Sequence, residues 1–137
     1  VKVEINAWLG DTELVELNDE GRIDGNAVKV FTRGHCHSFA LALSEVLPNL
    51  ELVGVAWEEV WTEDDDAVDI PGHVCCRDQA GKLWDITGLN TEDWDAEYLD
   101  RQYVLDAFDG EYFDARPDLA QPFLAAWLKA HRKGVAA

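Results

Sequence analysis

The sequence predicts an α+β domain in which helices pack on a small antiparallel sheet. Three observations carry the prediction: an apolar stripe at helical spacing from Cys36 to Leu47, a strand-like run at 50–57 with a two-stranded pattern about Gln79-Ala80-Gly81, and a mostly helical remainder. The 137 residues suit one domain spanning 1–137, and 47% hydrophobic residues with six tryptophans are enough to build a core despite the charge. No repeat, low-complexity tract or Pro/Gly/Ser linker divides it.

Val1–Trp8 reads equally as a strand or as the first turns of a helix. Asn18-Asp19-Glu20-Gly21 and Asp24-Gly25-Asn26 are turn signals, and Val28–Thr32 alternates like a short strand. From Cys36, apolar residues recur at Phe39, Ala40, Leu43, Val46 and Leu47, one face of a helix that Gly34 precedes and Pro48-Asn49 stops. Leu50–Trp57 is a strand with apolar residues on both faces. Residues 58–69 hold seven carboxylates and no base, which predicts a solvated loop closed by Pro71-Gly72. HVCCRD and LWDITG form a hairpin. Thr91 starts a helical segment toward Leu105, and Pro122 starts a helix ending at Gly134, with Lys129, His131, Arg132 and Lys133 complementing its dipole. Trp57, Trp61, Trp84, Trp94 and Trp127 read as core and anchoring residues.

With 28 acidic against 11 basic side chains, the net charge is −17. Direct nucleic-acid binding is excluded, because no basic surface faces the phosphates, and attraction to an anionic membrane is disfavoured for the same reason. No stretch approaches the roughly 20 apolar residues of a membrane span. The start, VKVEINAWLG, lacks the pattern of a signal peptide, and three cysteines without regular spacing give no disulfide framework. A reducing, cytoplasmic setting is expected. The acidic surface favours a basic protein or a polyamine as partner.

The chemistry concentrates in GHCHSF and GHVCC, which hold all three cysteines and three of the four histidines. A hairpin centred on Ala80 sets Val74 opposite Ile86 and Cys76 opposite Trp84 on a wholly apolar face. His73 and Asp85 then share the other face as diagonal neighbours, and a one-residue slip would separate them. A Cys36 thiol in the first turn of a helix feels the positive dipole end. An imidazole beside it completes an ion pair, and a carboxylate behind the imidazole fixes its tautomer.

Cys36, His73 and Asp85, in GHCHSFALAL, GHVCCRDQAG and KLWDITG, resemble the Cys-His-Asp order of papain-like cysteine enzymes, particularly their transglutaminase-like branch. The arrangement is also similar to small phage and bacterial proteins with a GxCHxFALAL-type helix. The resemblance covers roughly residues 28–90. It implies a papain-like core and a cysteine-dependent hydrolase or acyl transferase acting on an amide, isopeptide or thioester, with Cys36 as nucleophile, His73 as proton shuttle and Asp85 as its orienter. No cofactor is implied. The chain departs from the family pattern in flanking Cys36 with His35 and His37 and in lacking an upstream Gln. Asn26 is the nearest amide for an oxyanion beside the Cys36 backbone N–H; His35 and His37 read as polar helix-entry residues, either of which could contact a substrate.

Plainer readings stand beside these. Cys36 also fits a small core hydrophobe, and Asp85 a surface carboxylate facing Arg77. Cys76 belongs to the core and Cys75 is structural. A zinc site drawn from His35, Cys36, His37, His73, Cys75 and Cys76 is disfavoured, because the spacing is not that of paired knuckles and vicinal cysteines on a strand point apart. No metal is expected. In helical placement His131 is a dipole partner, and the 58–69 acids form a rim preferring cationic substrates if they border His73. The competing function is a non-catalytic acidic interaction protein, such as a phage-type inhibitor whose carboxylates imitate DNA phosphates. An acid-rich halophilic cytosol is a further source of the charge.

Overall fold

The computed structural model describes residues 1–7, 10–61, 67–90, 102–104 and 115–136, with side chains over 1–7, 10–55, 73–90 and 115–136. It is a mixed α+β fold with two antiparallel sheets among the described residues. The first is the hairpin of β1 (Lys2–Asn6) and β2 (Thr12–Glu16), in which Val3 lies opposite Val15. Period-two alternation buries Val3, Ile5 and Val15 and leaves Lys2, Glu4 and Glu16 in solvent, so the ambiguous N-terminal run is a strand. At the 18–21 turn Asn18 Oδ1 accepts the N–H groups of Glu20 and Arg22.

Val28–Thr32 is not a strand: helix α1 covers Gly25–Thr32. The spacing of Val28, Val30 and Thr32 suits a pleat. Ala27, Val30 and Phe31, however, make one helical face, and the Asp24 carboxylate caps the start by accepting the Ala27 N–H at 2.9 Å. Gly34 takes φ +112° between the helices, where a Cβ would press on the Asn6 amide. Helix α2 (Cys36–Val46) then begins at Cys36, as its apolar spacing predicts, and buries Phe39, Ala40, Ala42 and Leu43.

The second sheet has five strands in the order β6-β5-β4-β3-β7. Its centre is a long hairpin of β3 (Glu51–Trp61) and β4 (Ala67–Arg77). The acidic stretch is therefore not simply a loop: 58–61 and 67–69 pair as strand, Glu58 with Ile70 and Glu59 with Asp69, and 62–66 lie outside the described residues. β5 (Leu83–Asp85) meets β4 through Cys76–Trp84 and Arg77–Leu83, the register predicted for a turn about Ala80. Asp78 holds that turn, accepting the N–H groups of Ala80 and Lys82, the Trp84 indole N–H and the Ala136 N–H. β6 (Gly88–Asn90) adds to β5. β7 (Gln102–Val104) pairs with β3, so this part of the segment expected to be helical from Thr91 to Leu105 is strand; 91–101 and Leu105 lie outside the described residues. So do the side chains of Trp57, Trp61 and Trp94.

The C-terminal helical stretch starts earlier than expected, with Pro117 rather than Pro122 opening α3 (Pro117–Ala120). A 3₁₀ turn, helix α4 (Leu124–His131) and a second 3₁₀ turn carry it to Gly134. Phe31, Phe39, Ala40, Leu43, Val74, Cys76, Trp84, Ile86, Phe123 and Trp127 form one core on one face of the larger sheet. Each fully buried large side chain there contributes about 1.5–3 kcal/mol. Val53, Val55, Cys75 and Leu83 cluster on the other face. No helix among the described residues is long and apolar enough to cross a membrane.

Candidate active site

Cys36 heads α2 and is half-buried. Its backbone N–H lies in the first turn, where no intrahelical carbonyl is available. The helix starts without a side-chain cap; the His35 carbonyl accepts from Ser38 and Phe39. Buried Ser38 ties this end of α2 to the C-terminal segment by accepting the Arg116 N–H at 2.8 Å.

α2 and α4 both contribute to the core on the Val74–Trp84 face, the side from which strand alternation points His73 away. Two local features nevertheless bring His73 to Cys36. First, β4 carries a bulge against β3 immediately beyond the Val55–His73 pair, and a bulge re-aims the neighbouring side chain. Second, β5 pairs with β4 only at Cys76 and Arg77, which leaves β4 without that neighbour at Val74. The Val74 N–H is directed at the Cys36 sulfur, and the His73 ring hydrogen-bonds both Cys36 and Asp85.

His73 is buried and its Nε2 donates to Asp85 Oδ2 at 2.9 Å, so Nδ1 is the nitrogen left for the thiol. Asp85 is held from every side. Oδ2 also accepts the Asn90 amide at 2.8 Å, and Oδ1 accepts both the backbone N–H and the hydroxyl of Thr87. The Asp85 carbonyl accepts the buried Trp127 indole N–H at 2.7 Å, fixing α4 to the same residue. A carboxylate so supplied with donors stays ionised and immobile. It is not a surface group facing Arg77, whose guanidinium meets Glu51 at 3.2 Å.

Burial alone would raise the Cys36 thiol above its ordinary 9.0; hydrogen bonds from His37 and His73, the His73 charge and the Val74 N–H outweigh it and bring it to about 6. Burial likewise opposes charge on His73, and Asp85 and Cys36 overcome it to raise the ring to about 9. Asp85 is lowered, its desolvation being offset by His73 and Thr87. These shifts all act in the direction of a thiolate beside an imidazolium backed by a carboxylate. Cys75 and Cys76 are the opposite case. Burial drives the Cys75 thiol far up and pushes Cys76 up to about 12, and Cys76 donates to the Ala40 carbonyl at 3.1 Å.

Of the other expected site residues, His37 reaches the Cys36 sulfur. His35 does not serve the thiol: its Nε2 donates to the Glu4 carbonyl at 2.7 Å, and its ring stacks on His37 at 6.3 Å between centroids. Asn26 is committed elsewhere, donating to the Glu16 carbonyl at 3.0 Å and so pinning α1 to β2. Its described hydrogen bond makes it a structural tie rather than bringing it to Cys36. His131 packs on Trp127 at 5.0 Å, which adds an aromatic contact to its place at a helix end. No group of three or more His, Cys, Asp or Glu side chains among the described residues is arranged to hold a metal ion. Sequence reasoning missed Thr87, Asn90 and Trp127. The signal for the first two was their spacing from Asp85 across a tight turn, whereas Trp127 had none. Comparison with protein-family models, curated proteins and solved structures returns no match.

Proposed function

We propose that the protein is a cysteine-dependent hydrolase or acyl transferase on a papain-like, transglutaminase-like core. One observation carries the reading: a single buried imidazole hydrogen-bonds a helix-head thiol through one nitrogen and a four-donor carboxylate through the other. The Cys36 thiolate attacks the carbonyl carbon of an amide, isopeptide or thioester, and the C–S bond forms as the carbonyl electron pair moves to oxygen. Collapse of that intermediate expels the leaving group, which takes the proton from His73 Nδ1. Neutral His73 then accepts a proton from water (hydrolase) or an amine (transferase) as it attacks the thioester, and Cys36 is regenerated. Asp85 keeps Nε2 protonated and the ring in register throughout. The −17 charge favours a basic protein or polyamine as the substrate or acceptor, and three free thiols suit a reducing, cytoplasmic setting.

Site-resolved iodoacetamide labelling against pH tests this. Cys36 is expected to label fast, with a midpoint of about 6, while Cys75 and Cys76 stay inert. Labelling of Cys36 only on unfolding would make it a core residue. The alternative, an acidic protein imitating DNA, rests on the net charge; it predicts salt-sensitive binding to a basic partner that Cys36→Ala leaves unchanged.

A further inference from the structure

An acyl-transfer site needs donors where the carbonyl oxygen becomes negative, and the amide expected to supply one, Asn26, is bound to the Glu16 carbonyl. Two other donors already converge on the Cys36 sulfur: the Val74 N–H and the His37 ring. When Sγ bonds to a carbonyl carbon, the charge it carried moves to an oxygen only two bonds away. Donors gathered around the thiolate are then beside the oxyanion.

We propose that His37 is a catalytic residue that completes the oxyanion site together with the Val74 N–H. The proposal rests on the acyl-transfer reading above and assigns the residue that stabilises its intermediate. His37 is built for a fixed position rather than for proton transfer. Its ring lies on that of His35 at 25° between planes, and His35 is anchored to the Glu4 carbonyl of β1 at 2.7 Å. Preorganisation of this kind makes a donor effective, because nothing has to reorient as the charge develops. His73, by contrast, carries the mobile proton and is governed by Asp85. The two imidazoles beside Cys36 thus divide the work, one holding charge on oxygen and the other moving a proton. The remaining titratable groups around the site, Cys75 and His35, do not enter the reaction.

The test compares two reactions of the same sulfur in the wild type and in His37→Ala, above the ordinary thiol value of 9.0, where Cys36 is thiolate in both. Iodoacetamide alkylation passes through no oxyanion. The acylation burst with p-nitrophenyl acetate does, and p-nitrophenolate departs without needing a proton from His73. Equal alkylation with acylation slowed about 10²-fold or more in His37→Ala is the expected result. His37→Asn or His37→Gln, which keep a donor, should recover part of the loss. Equal acylation rates would overturn the assignment, as would an equal fall in both reactions, which marks an effect on the thiolate or the fold. His73→Ala measured beside them separates the two levels of inference. If the wild type itself gives no burst and His73→Ala alters neither the rate nor the pH midpoint of alkylation, the acyl-transfer reading fails and takes the oxyanion role with it. A wild-type burst that His37→Ala leaves intact, with His73→Ala shifting the pH midpoint of alkylation, sinks the oxyanion role alone.

Discussion

The Asp85 carboxylate accepts four hydrogen bonds, from His73, Asn90 and twice from Thr87, and in the proposed mechanism its charge governs His73. Asp85→Asn keeps the shape but offers His73 an amide in place of a carboxylate, with Asn90 and Thr87 still directed at it. Turnover of an amide or thioester by the wild type should rise as Cys36 ionises through about 6 and fall as His73 loses its proton through about 9. In Asp85→Asn the alkaline limb should move to lower pH, since the partner raising His73 is gone, and the plateau should drop by roughly 10²–10⁴-fold. A pH–rate profile of the two proteins checks both effects; an unmoved alkaline limb would remove Asp85 from the mechanism. That Cys36, His73 and Asp85 come together was legible in the sequence because each is placed by a local element, a helix start or a hairpin of fixed register. The placements of Asn26 and His37 were not, because they depend on how α1 and β1 dock beside α2.

At the scale of elements, each misread piece has its own local cause. Val28–Thr32 is rich in β-branched residues and looked like a strand, yet Asp24 three residues before Ala27 and the Ala27–Val30–Phe31 face decide for a helix. The cap is therefore expected to matter. Asp24→Ala should cost about 1 kcal/mol, lowering the thermal midpoint by about 3–5 °C in calorimetry, with the Cys36 labelling rate retained at lower temperature. No change in midpoint would mean that tertiary packing alone holds α1. The 58–61 and 67–69 stretches failed for a different reason. Charge composition points to a solvated loop, but strand pairing is a backbone property that a run of carboxylates does not forbid. The C-terminal helices were readable from Pro and basic punctuation, but their destination was not. Nothing local tells Trp127 that it will donate to the Asp85 carbonyl 42 residues away.

Across the whole molecule, the ends of the chain are tied to its middle. A Cβ on Gly21, which sits at φ +71°, would run into the Pro122 carbonyl oxygen, and Ala136 bonds Asp78 and Gln79 at the β4–β5 turn. Cys36 thus owes its ionisation to His37 on its own helix and to His73 and Val74 on β4, which meets it only in the complete fold. The usual relation between folding and thiol chemistry is thereby inverted. In an ordinary globular protein, folding hides cysteines and denaturant reveals them. Here Cys75 and Cys76 behave in that way, while Cys36 is activated by folding and returns to an ordinary thiol value of 9.0 when the chain opens. A urea series probed near neutral pH with limiting iodoacetamide should therefore show label on Cys36 falling as label on the vicinal pair rises, both changes following the unfolding transition. The chain carries its own ratiometric gauge of foldedness, with the reporter and its reference in a single polypeptide.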